Sequence, residues 1–297
     1  MPGRAPEHED LDTAATEFAA VRPRLFGIAY RMLGTVADAE DIVQDTWERW
    51  HRTDRSVVRE PAAFLATTAT RLAINHATSA RARRESYVGP WLPEPVDTSA
   101  DPALGAERGE ALEFAVLVLL EKLTPTERAA YVLREAFDYP YAQIAEVVQG
   151  SEASARQLVS RARKHLAEER DGHEVGHTEQ RRMLDAFLEA AQSGDIAELE
   201  KLFAADIVSY SDGGGLARAS RIPVFTRETV AKYVHAFHTR FWDGTVHVVE
   251  ANGAPAAVLV RDGAVVAFIA LDVTDGGIRR LQWVLNPEKL ERLPVPA

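Results

Sequence analysis

The chain contains no cysteine in 297 residues. That excludes disulfides, thiolate metal sites and thiol redox sensing, and it suits a reducing compartment. There is no uninterrupted apolar run near the roughly 20 residues a membrane span needs, and the opening MPGRAPEHED lacks the apolar stretch of a secretion signal. These absences predict a soluble cytoplasmic protein with no membrane partner. Basic residues are also scarce: 34 Lys and Arg face 45 Asp and Glu, a net charge of −11. Taken alone this argues against nucleic acid, but DNA responds to a local basic stripe rather than to an average. The length exceeds one ordinary domain, and 46% hydrophobic residues suffice for real cores.

Three styles of sequence follow one another. To about residue 170 apolar residues recur at helical spacing. YVGPWLPEPVDTSADPALG (87–105), with four prolines and two glycines, interrupts this as a linker. After ERDGHEVGH (169–177) and one more helical stretch (about 178–203), the chain turns β-branched. Asn252-Gly253, Asp262-Gly263 and Asp275-Gly276-Gly277 then mark hairpins between TVHVVEA, AAVLVR, AVVAFIALDV and RRLQWVL. This predicts an antiparallel meander packed on helices, an α+β domain.

LTPTER (123–128) is a strong local signal. Thr124 sits at an N-cap, Pro125 at N1 and Glu127 at N3, the arrangement of a capping box. A helix to about Ala136, a second from Tyr141, the turn Gln149-Gly150-Ser151 and a third helix capped by Ser151 make a helix-turn-helix. The third helix divides by face. Ala155, Leu158, Val159, Ala162 and Leu166 are apolar, with Ala153, Arg156, Gln157, Ser160 and Lys164 opposite. From Ala153 to Leu166 there are four basic residues and no acidic one. Arg156 and Gln157 can reach base edges, Arg161, Arg163 and Lys164 are placed for phosphates, and Ser154 and Ser160 join them as candidate DNA-binding residues. A solvated basic face on an ordinary bundle is the plain alternative; cap, turn, two-sided helix and charge together favour DNA.

Two further helices carry patterned charge. Asp38, Asp41, Asp45 and Glu48 recur at spacings of three, four and three, a carboxylate stripe opposite Ile42, Val43, Trp47 and Trp50. With no histidine in the stripe, a metal is a weak reading and a basic protein partner a sharper one. The helix begun at Pro61 carries Arg71, Asn75, His76, Arg81, Arg83 and Arg84 without an acid among the arginines, a second nucleic-acid-sized patch.

FGIAYRMLGTVADAEDIVQDTW resembles domain 2 of bacterial extracytoplasmic-function (ECF) sigma factors, and LTPTERAAYVLREAFDYPYAQIAEVVQGSEASARQLVSRARKHL resembles their domain 4. LDAFLEAAQSGDIAELEKLFAADIVSY is similar to the opening of the SnoaL-like fold, a cone-shaped α+β barrel. WLPEP (91–95) and NPEKL (286–290) are similar to motifs of the sigma-J type subgroup, which carries that domain as an extension. The resemblance implies a fold of two all-α sigma domains and an α+β SnoaL-like domain. The boundaries are a disordered 1–11, domain 2 at 12–86, linker 87–108, domain 4 at 109–170 and the extension at 176–297.

It also implies function. Asp38, Asp41, Gln44, Asp45 and Glu48 would dock on the clamp helices of the largest subunit of core RNA polymerase. Arg52, Arg55, Arg71, Asn75, Arg81, Arg83 and Arg84 would engage the melted −10 element, and the third helix of domain 4 would read the −35 element. The extension would regulate its own sigma domains through Trp91, Leu92, Pro93, Asp212, Gly213, Gly214, Gly215, Asn286, Pro287, Lys289 and Leu290. In that subgroup a basic residue follows the glycines; here Leu216 stands there and the first basic residue is Arg218. SnoaL-like enzymes use Asp–His pairs, for which Asp212, His235, His238 and His247 are available, but fold alone does not establish catalysis. The expectation is no catalytic residue, no cofactor and no metal, with an unidentified small ligand as a further partner. The competing reading is a helix-turn-helix regulator fused to a ligand-sensing or enzymatic SnoaL-like domain.

Overall fold

The structure, a computed structural model, describes residues 5–84, 86–98, 113–169, 175–237 and 243–296. They form two compact units, one from residues 5–82 and 120–166, the other from 83–98, 113–119 and 167–296.

The first unit is helical. Helices α1 (Ala5–Leu33), α2 (Val36–Arg52) and α3 (Pro61–Arg84, its first part in this unit) are followed by α5 (Pro125–Glu135), α6 (Tyr141–Val147) and α7 (Glu152–Glu169); the short α4 (Phe114–Leu120) precedes α5. Trp50 is fully buried and donates from its indole nitrogen to the Ala14 carbonyl at 3.1 Å, tying α2 to α1. Thr35 caps α2 by accepting from the Asp38 N–H. The Thr124–Glu127 capping box forms in full. The buried Arg128 guanidinium donates to the Met32 carbonyl at 2.6 Å, satisfying an acceptor that the end of α1 leaves open.

Helix α1 begins at Ala5, inside the stretch 1–11 expected to be disordered.

The second unit is a six-stranded sheet in the order β2-β1-β6-β5-β4-β3. Its strands are β1 (Phe203–Asp212), β2 (Val224–Phe225), β3 (Thr245–Ala251), β4 (Ala254–Arg261), β5 (Ala264–Thr274) and β6 (Gly277–Val284). Strands β3 to β6 form the expected antiparallel meander, and β1 joins it parallel to β6. At the first two hairpins Asn252-Gly253 and Asp262-Gly263 all take positive φ, as tight two-residue turns require.

The sheet has two apolar faces. Helices α8 (His177–Ser193), α9 (Ile196–Leu202) and α10 (Arg227–Phe237) serve one, where Phe187 packs against Phe203 and Trp283 over Leu259, Ile269 and Leu281. The other face presents Val258, Phe268 and Val284 to Leu92 of the linker, Phe114 of α4, and Leu290 and Leu293 in and after α11 (Pro287–Leu290). The linker also extends the sheet: Asp97 bridges to Ala251, and Val96 exchanges hydrogen bonds with Asn252.

The compact units therefore cut across the boundaries read from sequence. Linker residues 87–98 and Phe114, assigned to a spacer and to domain 4, belong with the sheet. FAVLVLL is apolar all round, so Phe114 joins the Phe268 cluster, their rings 5.2 Å apart.

At the β5–β6 turn Gly277 has φ +108, and a Cβ there would come within 2.6 Å of the Leu202 carbonyl oxygen. Gly277→Ala is expected to cost about 2 kcal/mol or more in urea unfolding; a loss under about 0.5 kcal/mol contradicts this packing.

Candidate functional site

The helix-turn-helix presents α7 as expected. Ala155, Val159, Ala162 and Leu166 are buried, whereas Arg156, Gln157, Ser160, Arg161, Arg163 and Lys164 face solvent. Ser154 is half-buried, and its N–H donates to the Ser151 hydroxyl that starts the helix. Three of the arginines rest on acids of the same unit: Arg156 on Glu152 at 2.8 Å, Arg161 on Glu127 at 3.4 Å, and Arg163 on Glu135 at 2.8 Å. Burial pushes the Glu127 carboxyl up, but the Thr124 hydroxyl and N–H, with Arg161 and His165, leave it below the ordinary carboxylate range. The pairs of Arg156 and Arg163 are largely exposed and contribute little stability.

Along α2, Asp41, Gln44, Asp45 and Glu48 are exposed. Glu48 pairs with Arg52 at 3.2 Å. Asp38 is half-buried, accepting from the Thr35 hydroxyl at 2.6 Å and facing His76 Nε2 at 3.0 Å. It has a structural task that the exposed four do not share.

The residues expected at the −10 element are split. Asn75 is exposed, and the side chains of Arg81 and Arg83 lie outside the described residues. Arg55 lies over the Trp50 ring. Arg71 donates to the carbonyls of Glu146 at 2.6 Å and Val147 at 3.3 Å, capping the C-terminal end of α6. In the second unit, the Arg84 guanidinium stacks 3.4 Å over the ring of Trp91.

Trp91 belongs to a polar cluster built from three distant stretches. Asp212, at the end of β1, is 0% exposed. Its Oδ1 accepts from the Tyr87 hydroxyl at 2.7 Å, and its Oδ2 from the Leu92 N–H at 2.8 Å and Lys289 Nζ at 2.7 Å. Lys289 Nζ also donates to the Leu92 carbonyl at 2.5 Å and lies over the Trp91 ring at 4.2 Å. Asn286 caps α11, donates to the Tyr87 hydroxyl at 2.9 Å, and sends its N–H to the Asp212 carbonyl at 2.9 Å. Leu92 and Pro93 are buried, Leu290 packs beneath Leu92's cluster, and Pro287 is exposed.

Glycines make the approach geometrically permissible. Gly214 and Gly215 have φ +58 and +78, and a Cβ on Gly214 would lie 2.5 Å from Asn286 Nδ2 and 2.7 Å from the Tyr87 oxygen. Gly213 is equally confined, its Cβ position 2.5 Å from the Ala217 oxygen.

Burial drives the Lys289 amine down to about 8 even though Asp212 favours its charge. Burial, and then the Asp212 carboxylate, hold the Tyr87 phenol above its ordinary value.

The Sigma-70 region 2 profile matches residues 18–83, and the Sigma-70 region 4 profile matches residues 113–166. The ECF RNA polymerase sigma factor SigJ of Mycobacterium tuberculosis is 35% identical over 94% of both chains. The chain belongs to the ECF RNA polymerase sigma factors. The crystal structure of SigJ superposes with a TM-score of 0.76 at 34% identity, covering 93% of this chain and 98% of that one. A probable ECF sigma factor of the same organism, SigI, is 28% identical over 95% of this chain and 96% of its own.

Sequence reasoning about this sigma factor missed Tyr87, Arg71's acceptors and the pairing of Glu94 with Arg292 at 3.6 Å. A tyrosine in a Pro/Gly-rich linker carries no local signal of a carboxylate 125 residues away. The Asp–His candidates fare differently. Both Asp212 oxygens are taken, His235 Nδ1 lies 2.9 Å from the Gly194 carbonyl, and His238 lies outside the described residues. His247 is half-buried on β3. Among the described residues no group of three or more His, Asp or Glu is placed to hold a metal, and no helix is long and apolar enough to cross a membrane.

Asp212→Ala strands the buried ammonium of Lys289 together with the Tyr87 and Leu92 donors. It is expected to cost about 3–5 kcal/mol in urea unfolding, and a cost below about 1 kcal/mol contradicts the arrangement. Lys289 adds a pH signature. Between pH 8 and 10.5 the unfolded chain keeps a proton that the buried amine has lost, so stability from this residue rises with pH across that window. Below pH 8 both states are protonated and the burial penalty is constant. Wild type should therefore gain on Lys289→Met as pH climbs from 8 to 10; a gap that stays flat or narrows contradicts the burial of the amine.

Proposed function

We propose that this sigma factor directs core RNA polymerase to promoters, and that its SnoaL-like domain regulates it intramolecularly through the linker. The clamp helices of the largest core subunit meet Asp41, Gln44, Asp45 and Glu48, with Asp38 shaping the helix start. Gln157 with Arg156 and Ser160 reads the −35 element, while Arg161, Arg163 and Lys164 meet phosphates. Asn75 and the arginines of α3 hold the −10 strand. Polymerase supplies the chemistry, so the sigma factor needs no catalytic residue, and its partner places it in the cytoplasm.

One observation carries the regulatory reading: Arg84, expected on the −10 DNA, is stacked on Trp91, and Trp91 is fixed by the Asp212–Lys289 cluster. An arginine stacked on an indole keeps its N–H edge where the indole puts it, which restricts the phosphates it can reach. Arg71, occupied by the α6 carbonyls, is under a similar restraint. The cluster thus acts as a latch on Arg84, while Arg71 is held separately by the carbonyls of its own unit. An enzymatic role for the SnoaL-like domain draws no support from Asp212, whose oxygens the latch consumes.

Run-off transcription with purified core polymerase tests both parts. Trp91→Ala should raise transcript yield several-fold at limiting sigma factor; unchanged yield removes the latch from regulation. If the full chain and C-terminally truncated forms all fail to start transcription at every cognate promoter, the sigma reading itself falls. Within the holoenzyme, Gln157→Ala should relax −35 sequence preference by about 1–3 kcal/mol, whereas Lys164→Ala should weaken all promoters evenly and lower the salt slope by about one. Equal loss of preference in both variants contradicts the division of roles.

A further inference from the structure

Beside the latch lies a groove of about 410 Å³ whose lining includes Leu216 and Arg218 from the glycine-rich loop, Arg261 and Val265 from the β4–β5 hairpin, and Leu285 and Leu290. Its lining contains two arginines and no carboxylate. Arg218 is exposed and makes no ion pair among the described residues, while Arg261 is held in place by Asp243. A second cavity of the same unit, about 300 Å³, has the opposite character, with Asp97 and Glu250 in its lining.

The loop is built rather than slack. The N–H groups of Leu216 and Ala217 both donate to the Gly213 carbonyl, and the Ser220 N–H donates to the Tyr233 hydroxyl at 3.3 Å. Yet this fixed backbone holds Leu216 60% exposed. The ordered loop thus keeps a leucine in water beside apolar lining residues and two guanidinium groups. The groove's volume falls within the roughly 300–1,000 Å³ of small-molecule sites.

We infer that this groove binds a small organic anion, a carboxylate or sulfonate carried on a compact apolar body. The apolar part lies on Val265, Leu285 and Leu290, and the anionic end meets Arg218 with Arg261 behind it. Such a ligand touches the loop that follows Asp212 and the helix that carries Lys289. Occupancy therefore favours the closed latch by mass action, since opening separates the two walls of the groove. The binding site goes beyond the promoter reading, and only this last consequence depends on the latch.

Fluorescence titration of the purified full chain with 1-anilinonaphthalene-8-sulfonate reads binding without polymerase or DNA. The expected result is saturable one-to-one binding, displaced by decanoate well below its micelle concentration and more weakly by decanol. Arg218→Glu, at an exposed position, should weaken both anions by about tenfold or more, the worth of a charge-assisted hydrogen bond, without lowering the melting temperature. Val265→Trp should fill the groove and abolish displaceable binding. Unchanged affinity in Arg218→Glu, or decanol competing as well as decanoate, overturns the inference. Either result leaves the sigma-factor reading untouched, because transcription is not the readout.

Discussion

A carboxylate with no exposed surface is tolerable only when its charge is answered from several sides. Asp212 meets that condition with donors from Tyr87, Leu92 and Lys289, and its backbone carbonyl accepts from Leu285 and Asn286. None of these partners is close to it in sequence. The requirement to satisfy one buried charge therefore draws together the linker, the end of β1 and the start of α11. The three glycines follow from the same need. Gly214 lies where any side chain would collide with Asn286 and Tyr87, so the run makes room for a close approach within the protein rather than for a phosphate.

The linker gains its order from the second face of the sheet. Strands β4, β5 and β6 alternate apolar residues to both sides, and α8, α9 and α10 serve only one of them. Left bare, Val258, Phe268 and Val284 would form an apolar patch in water. Leu92 and Phe114 cover it, and prolines flanking Trp91-Leu92 limit the chain entropy lost on docking. Arg84, the last residue of α3, rests on Trp91 of this linker. Sheet packing is thereby connected to Arg84, which is proposed to engage promoter DNA.

The parts legible in the sequence are those with local causes. The Thr124 capping box, the Asn-Gly and Asp-Gly turns and the two-sided α7 each depend on residues within a few positions of one another. The motifs WLPEP, DGGG and NPEKL could be named, and the structure brings them into one cluster, yet nothing in their spacing shows that Lys289 answers Asp212. Tyr87, Arg71 at the α6 carbonyls and the parallel β1–β6 pairing stayed hidden because their partners are tertiary. The helical N-terminus escaped for a different reason. Its apolar pattern is thin, and its early carboxylates are a feature that disordered segments share.

The polar character of the Asp212–Lys289 cluster bears on the proposal that it is a latch. Replacing a buried ion pair with apolar residues of the same volume is often neutral or stabilising, so stability alone does not account for Lys289 and Asp212. The difference lies in opening. An apolar plug exposes hydrocarbon to water when it leaves, and the cost grows with its area. A buried ammonium and carboxylate regain full hydration on separation, recovering much of the desolvation that closure imposed. Leu92 supplies the apolar share and sets the register, while the ion pair lowers the cost of release. If the proposed latch operates, such a closure would be specific when shut and would be tipped by a modest differential interaction, whether from DNA competing for Arg84 or from an anion bridging the walls that carry the two charges.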